Sequence, residues 1–117
     1  MRDNRWAHEQ RVVDYDEVTA HVPVGERSWV VIMTHRHEND AGVLERLCAL
    51  ELRYLGMLGS PHKVAEVFAR LRSRGVPAER LATVHAPVGV AIHSHTPAEI
   101  AVSVAAEIIA VRNRRDA

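Results

Sequence analysis

The chain has 117 residues, 47% of them apolar and 26% charged, with Lys+Arg and Asp+Glu balanced at 15 each. That length suits a single globular domain over 1–117, and that composition excludes disordered and fibrous classes. The balanced charge argues against holding nucleic acid by counterion release. The apolar runs fall far short of the roughly 20 residues of a membrane span, and a lone cysteine, Cys48, cannot form an intrachain disulfide or a zinc knuckle. Met1 is followed by Arg2, Asp3, Asn4 and Arg5 with no apolar signal core, so the expected setting is the cytoplasm.

In chain order, Arg11–Asp14 is a short β-leaning piece, Asp16–Ala20 a brief helix and Pro23–Arg27 a loop. Ser28-Trp29-Val30-Val31-Ile32-Met33-Thr34 is continuous and β-branched, the pattern of a strand buried on both faces. Asn39 or Asp40 can cap a helix carrying Val43, Leu47 and Leu50 on one side, with Cys48 inside it. Arg53–Gly59 reads as a second strand. Ser60 at the N-cap and Pro61 at the first helical position open a helix with Val64, Val67, Phe68 and Leu71 on its apolar face, closed by Gly75. Pro77–Ala82 makes one helical turn and Thr83–Ala86 a third strand-like piece. Thr96-Pro97-Ala98-Glu99 is a capping box, and Ile100, Val104, Ile108 and Val111 mark the stripe expected to be buried in the helix it opens. Alanines 101, 105, 106 and 110 would let that helix approach a sheet, and the tail from Arg112 is expected to fray. Strands alternating with helices predict an α/β fold with a parallel sheet.

Ligands of such sheets bind where strands turn into helices at the carboxyl edge. Three segments fall there: Thr34–Asp40, Gly56–Lys63, and His85 through Pro87 and Gly89 to Thr96. Lys63 stands in the first turn of its helix, where the macrodipole disfavours a cation, so with the Gly59–Ser60 turn it suits an anion such as phosphate. A solvated Lys63 is the plainer alternative. The spacing is not that of a Walker loop, and no G-x-G-x-x-G follows a strand. His35, His37 and Asp40 invite a metal reading if the segment is extended, against a plainer one of solvated and capping side chains. His93 and His95 form a similar pair in a polar loop. Cys48 in mid-helix lacks the helix N-terminus that would make it a nucleophile.

Taken together, Val31-Ile32-Met33-Thr34-His35-Arg36-His37-Glu38-Asn39-Asp40, Tyr54-Leu55-Gly56-Met57-Leu58-Gly59-Ser60-Pro61-His62-Lys63, and His85-Ala86-Pro87-Val88-Gly89 followed by Thr96–Ala101 and Ala106-Glu107-Ile108 resemble the XdhC/CoxI family over about residues 28–112. These are accessory proteins of xanthine dehydrogenase and related molybdenum hydroxylases. The resemblance implies a Rossmann-like, three-layer parallel sheet that binds molybdenum cofactor (molybdopterin), assists its sulfuration and hands it to the apo-enzyme, acting as a chaperone more than a catalyst. By resemblance the cofactor-binding candidates are Thr34, His35, His37, Asp40, Gly59, Ser60, Lys63, His85, Pro87 and Gly89. The implied partners are a xanthine dehydrogenase-type apo-enzyme and a cysteine desulfurase.

This sequence departs from the family pattern in places. The family's first strand and its glycine turn would precede Met1, so an N-terminally truncated sheet is expected, its open edge completed in a homodimer or by a partner. Ala91 and His93 stand where the family carries an aspartate and a glycine. Pro61-His62 replaces a more basic pair, leaving Lys63 as the main anion contact. Two other classes of function stay open at this point. One is a nucleotide- or NAD-binding oxidoreductase domain, and the other is an interaction-only module that has kept the fold and lost the ligand.

Overall fold

A run with β-branched Val30, Val31 and Ile32 and an apolar run of Leu, Tyr and Met pair in parallel as β1 (Gly25–Ile32) and β2 (Leu52–Met57), with Trp29 opposite Tyr54, Val30 opposite Leu55 and Ile32 opposite Met57. The structure, a computed structural model, describes residues 7–34 and 37–116, without the side chains of 37–39, 115 and 116. Parallel strands need a crossover, and α1 (His37–Leu47) supplies it. α2 (Pro61–Ser73), the single turn α3 (Ala78–Leu81) and the long α4 (Pro97–Asp116) follow. The sheet among the described residues has these two strands. A parallel bridge joins Gly56 to His85, where the His85 amide donates to Leu55 O at 2.9 Å and the Met57 amide to His85 O at 3.0 Å. β2 therefore bonds on both sides.

The period-2 alternation of β2 sorts its residues. Leu55 and Met57 join Ile32, Leu44, Leu47, Val64, Val67 and Leu71 in the core under α1 and α2. Leu44 is fully buried, so its removal in Leu44→Ala is expected to cost about 2–5 kcal/mol. Tyr54 and Gly56 face the other way, toward α4. Gly56 leaves room there, because a Cβ would stand 2.9 Å from the Tyr54 hydroxyl and 2.7 Å from Val88 Cγ2.

Several boundaries differ from those expected. Arg11–Asp14 is irregular, and the brief helix is a 3-10 helix, Tyr15–His21. Gly25 and its neighbours join β1 instead of looping, since the Gly25 amide donates to Glu51 O at 2.8 Å. α1 begins at His37, ahead of Asn39 and Asp40, so His37 is helical and not extended. Cys48 lies just past α1, its amide still donating to Leu44 O. The third strand-like piece shrinks to the bridge at His85, because Thr83 and Val84 continue the turn of α3 through bonds to Arg80 O and Leu81 O. α4 runs on through Asp116 past the expected fraying point. Its expected stripe is only half-buried, with Ala101 and Ala105 exposed, and among its described side chains the buried one is Ser103.

Candidate functional site

Three loops leave the carboxyl edge of the sheet together, because the Leu58 amide donates to Ile32 O at 2.9 Å and the Val88 amide to Met57 O at 3.0 Å. In the first loop, the Thr34 hydroxyl donates to Asp40 Oδ1. Asp40 is 4% exposed, and a buried carboxylate needs such partners. His35 and the side chain of His37 lie outside the described residues. Among those described, no three His, Cys, Asp or Glu residues converge as a metal site would require.

In the second loop, Ser60 has extended φ/ψ and its Oγ accepts from the Lys63 amide at 3.3 Å, with Pro61 at the first helical position. Both features are those expected of an N-cap. α2 has no acidic residue in its first turn, and Lys63 is exposed there. A Cβ at Gly59 would meet only Val64 Cγ2 at 3.7 Å, an ordinary contact, so the fold itself does not demand glycine here.

The third loop is held more tightly. The Ala86–Pro87 peptide is cis and Gly89 has φ +99°. A Cβ on Gly89 would stand 2.5 Å from Ser103 Oγ, and the Val90 amide donates to Ser103 O at 3.2 Å. His93 is left-handed at φ +56°, a conformation histidine adopts more readily than most residues. Beyond it the capping box forms as expected. The Glu99 amide donates to Thr96 Oγ1 at 3.1 Å, and Glu99 Oε1 accepts from the amides of His95 at 2.7 Å and Thr96 at 3.1 Å. Those amides hold the Glu99 carboxyl below its ordinary value.

Between the second and third loops lies a cleft of ≈ 620 Å³, walled by Leu58, Gly59, Pro61, the 87–94 segment, Ile100 and Ser103. It exceeds the hollows of ≈ 210 Å³ at the opposite end, around Leu52 and Arg53. Gly59, Pro87 and Gly89 line the cleft, while Ser60 and Lys63 stand beside it on the start of α2. Thr34 and Asp40 belong to the neighbouring loop and bind each other.

His85 is turned away from this group. Its ring stacks on Tyr54 with centroids 4.6 Å apart, and Tyr54 in turn stacks on Trp29 at 5.6 Å. The Tyr54 hydroxyl donates to Glu107 Oε1 at 2.5 Å, and His85 Nδ1 lies 3.6 Å from the same oxygen. Burial, then the Glu107 carboxylate, push the Tyr54 phenol well above its ordinary range. Sequence reasoning missed Tyr54, Ser103 and Glu107 as partners. The available signal was the i, i+4 spacing of two polar residues in the otherwise apolar stretch 100–111 of α4.

Comparison with known proteins agrees on one lineage. The XdhC Rossmann domain matches residues 2–108. The chain is 42% identical over 86 residues to the uncharacterized protein YqeB of Escherichia coli (strain K12), which covers 74% of this chain and 16% of that protein. It is 38% identical over 84 residues to a probable xanthine dehydrogenase subunit of Bacillus subtilis (strain 168), covering 72% of this chain and 23% of that one. A crystal structure described as a xanthine dehydrogenase from Bacillus halodurans superposes with a TM-score of 0.70 at 32% identity, covering 89% of this chain and 29% of that one. The chain thus spans less than a third of each of these relatives.

Proposed function

The chain belongs to the XdhC family through its Rossmann domain, and on that premise we propose that it serves the maturation of a xanthine dehydrogenase-type molybdoenzyme by binding molybdenum cofactor in the cleft beside α2. The observation that carries this reading is the pairing of an acid-free helix start, bearing Lys63, with a glycine that the fold does not itself require. Backbone amides and the dipole at such a start favour a phosphate.

The residues present fit the group. Gly59, Ser60 and Lys63 would hold its phosphate, and Pro87 and Gly89 would face its ring system. Once delivered, the cofactor supplies the redox centre of the hydroxylase. This chain's own residues bind and shield it, in the manner of a chaperone. Sulfuration by a cysteine desulfurase and transfer to the apo-enzyme are the steps that would follow.

The open side of β1 belongs to the same proposal. Among the described residues no strand pairs with β1 across from β2. A further strand there, from a second copy in a homodimer or from a partner, would complete a three-layer sheet. A stable monomer in sedimentation equilibrium, with all of its β1 amides protected from exchange, would remove that part of the reading.

The deciding experiment incubates the purified chain with molybdenum cofactor, desalts it, and measures retained pterin fluorescence. We expect near-stoichiometric retention that Lys63→Ala abolishes while the far-UV spectrum stays unchanged. Equal retention in the folded variant would remove the phosphate site from α2. No retention by either folded protein would favour the interaction-only module.

A further inference from the structure

The geometry points to Glu107 as a positioning residue that sets the α4 wall of the cleft from one helical turn away. Between Ile100 and Val111 α4 is apolar nearly all round, yet its apolar residues are at most half-buried. Ile100, Val104, Ile108 and Val111 are half-buried, and Val102 and Ile109 are 62% and 48% exposed. Polar contacts to the third loop and the sheet recur along α4 as a seam at i, i+4 and i+8. Ser103 O accepts from the Val90 amide at 3.2 Å, and Glu107 Oε1 accepts from Tyr54 at 2.5 Å. At the third step, the Arg53 guanidinium reaches Val111 O at 3.4 Å.

Within this seam the strongest contact is the one to a carboxylate, which is worth roughly twice a neutral hydrogen bond. Tyr54 is itself fixed, being 2% exposed and stacked between Trp29 and His85. Glu107 therefore ties α4 to a buried, ring-stacked side chain of the sheet. Ser103, four residues back on the same face, carries that placement into the cleft. Its tolerance is narrow, because it lies against Gly89 where even a methyl group would overlap. A small slide of α4 along its axis would move the Gly89–Val90 wall with it. Glu107 touches no cleft residue and acts through Ser103.

The test is amide hydrogen exchange on the full chain without ligand, so its result stands whether or not the cleft takes the cofactor. Tyr54→Phe removes only the hydroxyl. We expect it to speed exchange at Val90 and along α4 about tenfold, the effect of losing a hydrogen bond to a charged group, while α2 and β2 keep their protection. Glu107→Gln keeps an acceptor oxygen of the same shape and should stay within about threefold of the native chain. If Tyr54→Phe does not fold, Glu107→Leu set against Glu107→Gln gives the same contrast. Unchanged exchange at Val90, or a rise shared equally by α2, would overturn the assignment.

Discussion

Gly89 and Ser103 meet where no side chain fits between them. A Cβ at position 89 would come within 2.5 Å of Ser103 Oγ and 3.3 Å of its backbone carbonyl carbon, and φ there is +99°. Gly89→Ala therefore adds left-handed strain to steric overlap, and is expected to lower stability by about 3 kcal/mol. Gly59→Ala has space and should stay within about 0.5 kcal/mol of the native chain. Urea denaturation separates the two. Retention of cofactor by a folded Gly59→Ala variant equal to that of the native chain would argue against a ligand seated on this glycine.

Stability should fall at alkaline pH through Tyr54. In the unfolded chain the phenol ionises near its ordinary value of 10.0, whereas in the folded chain burial and Glu107 hold the proton to higher pH. The raised value favours the folded state fully below the unfolded value, and this contribution is lost as pH climbs through the folded one. Denaturant midpoints should thus decline above about pH 10, with Tyr54→Phe showing a flatter decline. Parallel curves for the two proteins would place the alkaline transition elsewhere.

The capping box at the start of α4 makes an acid-side prediction of opposite sign. Glu99 is held below its ordinary value of 4.5 by the amides of His95 and Thr96. Its contribution is present above that value and lost as pH falls through the lower folded one. Glu99→Gln should remove this acid dependence while keeping an acceptor oxygen. Thr96→Ala, which strips the N-cap hydroxyl, should cost about 1 kcal/mol at neutral pH, read as a shift in the urea midpoint.

Cys48 should behave as an inert thiol. It is 6% exposed, and burial pushes its pKa up despite the opposing charge of Arg80. An aromatic disulfide reagent at pH 8 is expected to modify it slowly in the native chain and fast in urea. Equal rates in both would show that the segment after α1 opens readily.

The sequence made much of this fold legible, for identifiable reasons. Ser60, Pro61, Thr96 and Glu99 are local signals, each acting over three residues of chain, and α2 and α4 begin where they say. The parallel α/β pattern was equally plain, because the continuous β-branched run of β1 gives way to the three-and-four spacing of Val43, Leu47 and Leu50. The partners of α4 were not legible. An apolar periodicity predicts a buried stripe, yet the contact that orients this helix joins residues 53 positions apart through one hydroxyl and one carboxylate. Nor does spacing reveal that His85 stacks on Tyr54 instead of facing the cleft. Its side is decided by the pairing of its backbone with Leu55 and Met57. The Gly59–Lys63 loop was readable as a candidate anion site because glycine, cap and lysine are contiguous.

β2 bonds to β1 on one side and to the His85 segment on the other, which has a consequence for the order of assembly. Neither neighbour can find its register until β2 is in place, so β2 is the template on which the domain condenses. The crossover through α1 closes a short loop and the His85 bridge a slightly longer one. The contacts that dock α4 close far longer ones, 53 residues for Tyr54–Glu107 and 58 for Arg53–Val111, and loop-closure entropy rises with length. α4 is then expected to join last in refolding and leave first in unfolding. Mutations at Leu44 or Leu55 should slow folding, while those at Glu107 should chiefly speed unfolding.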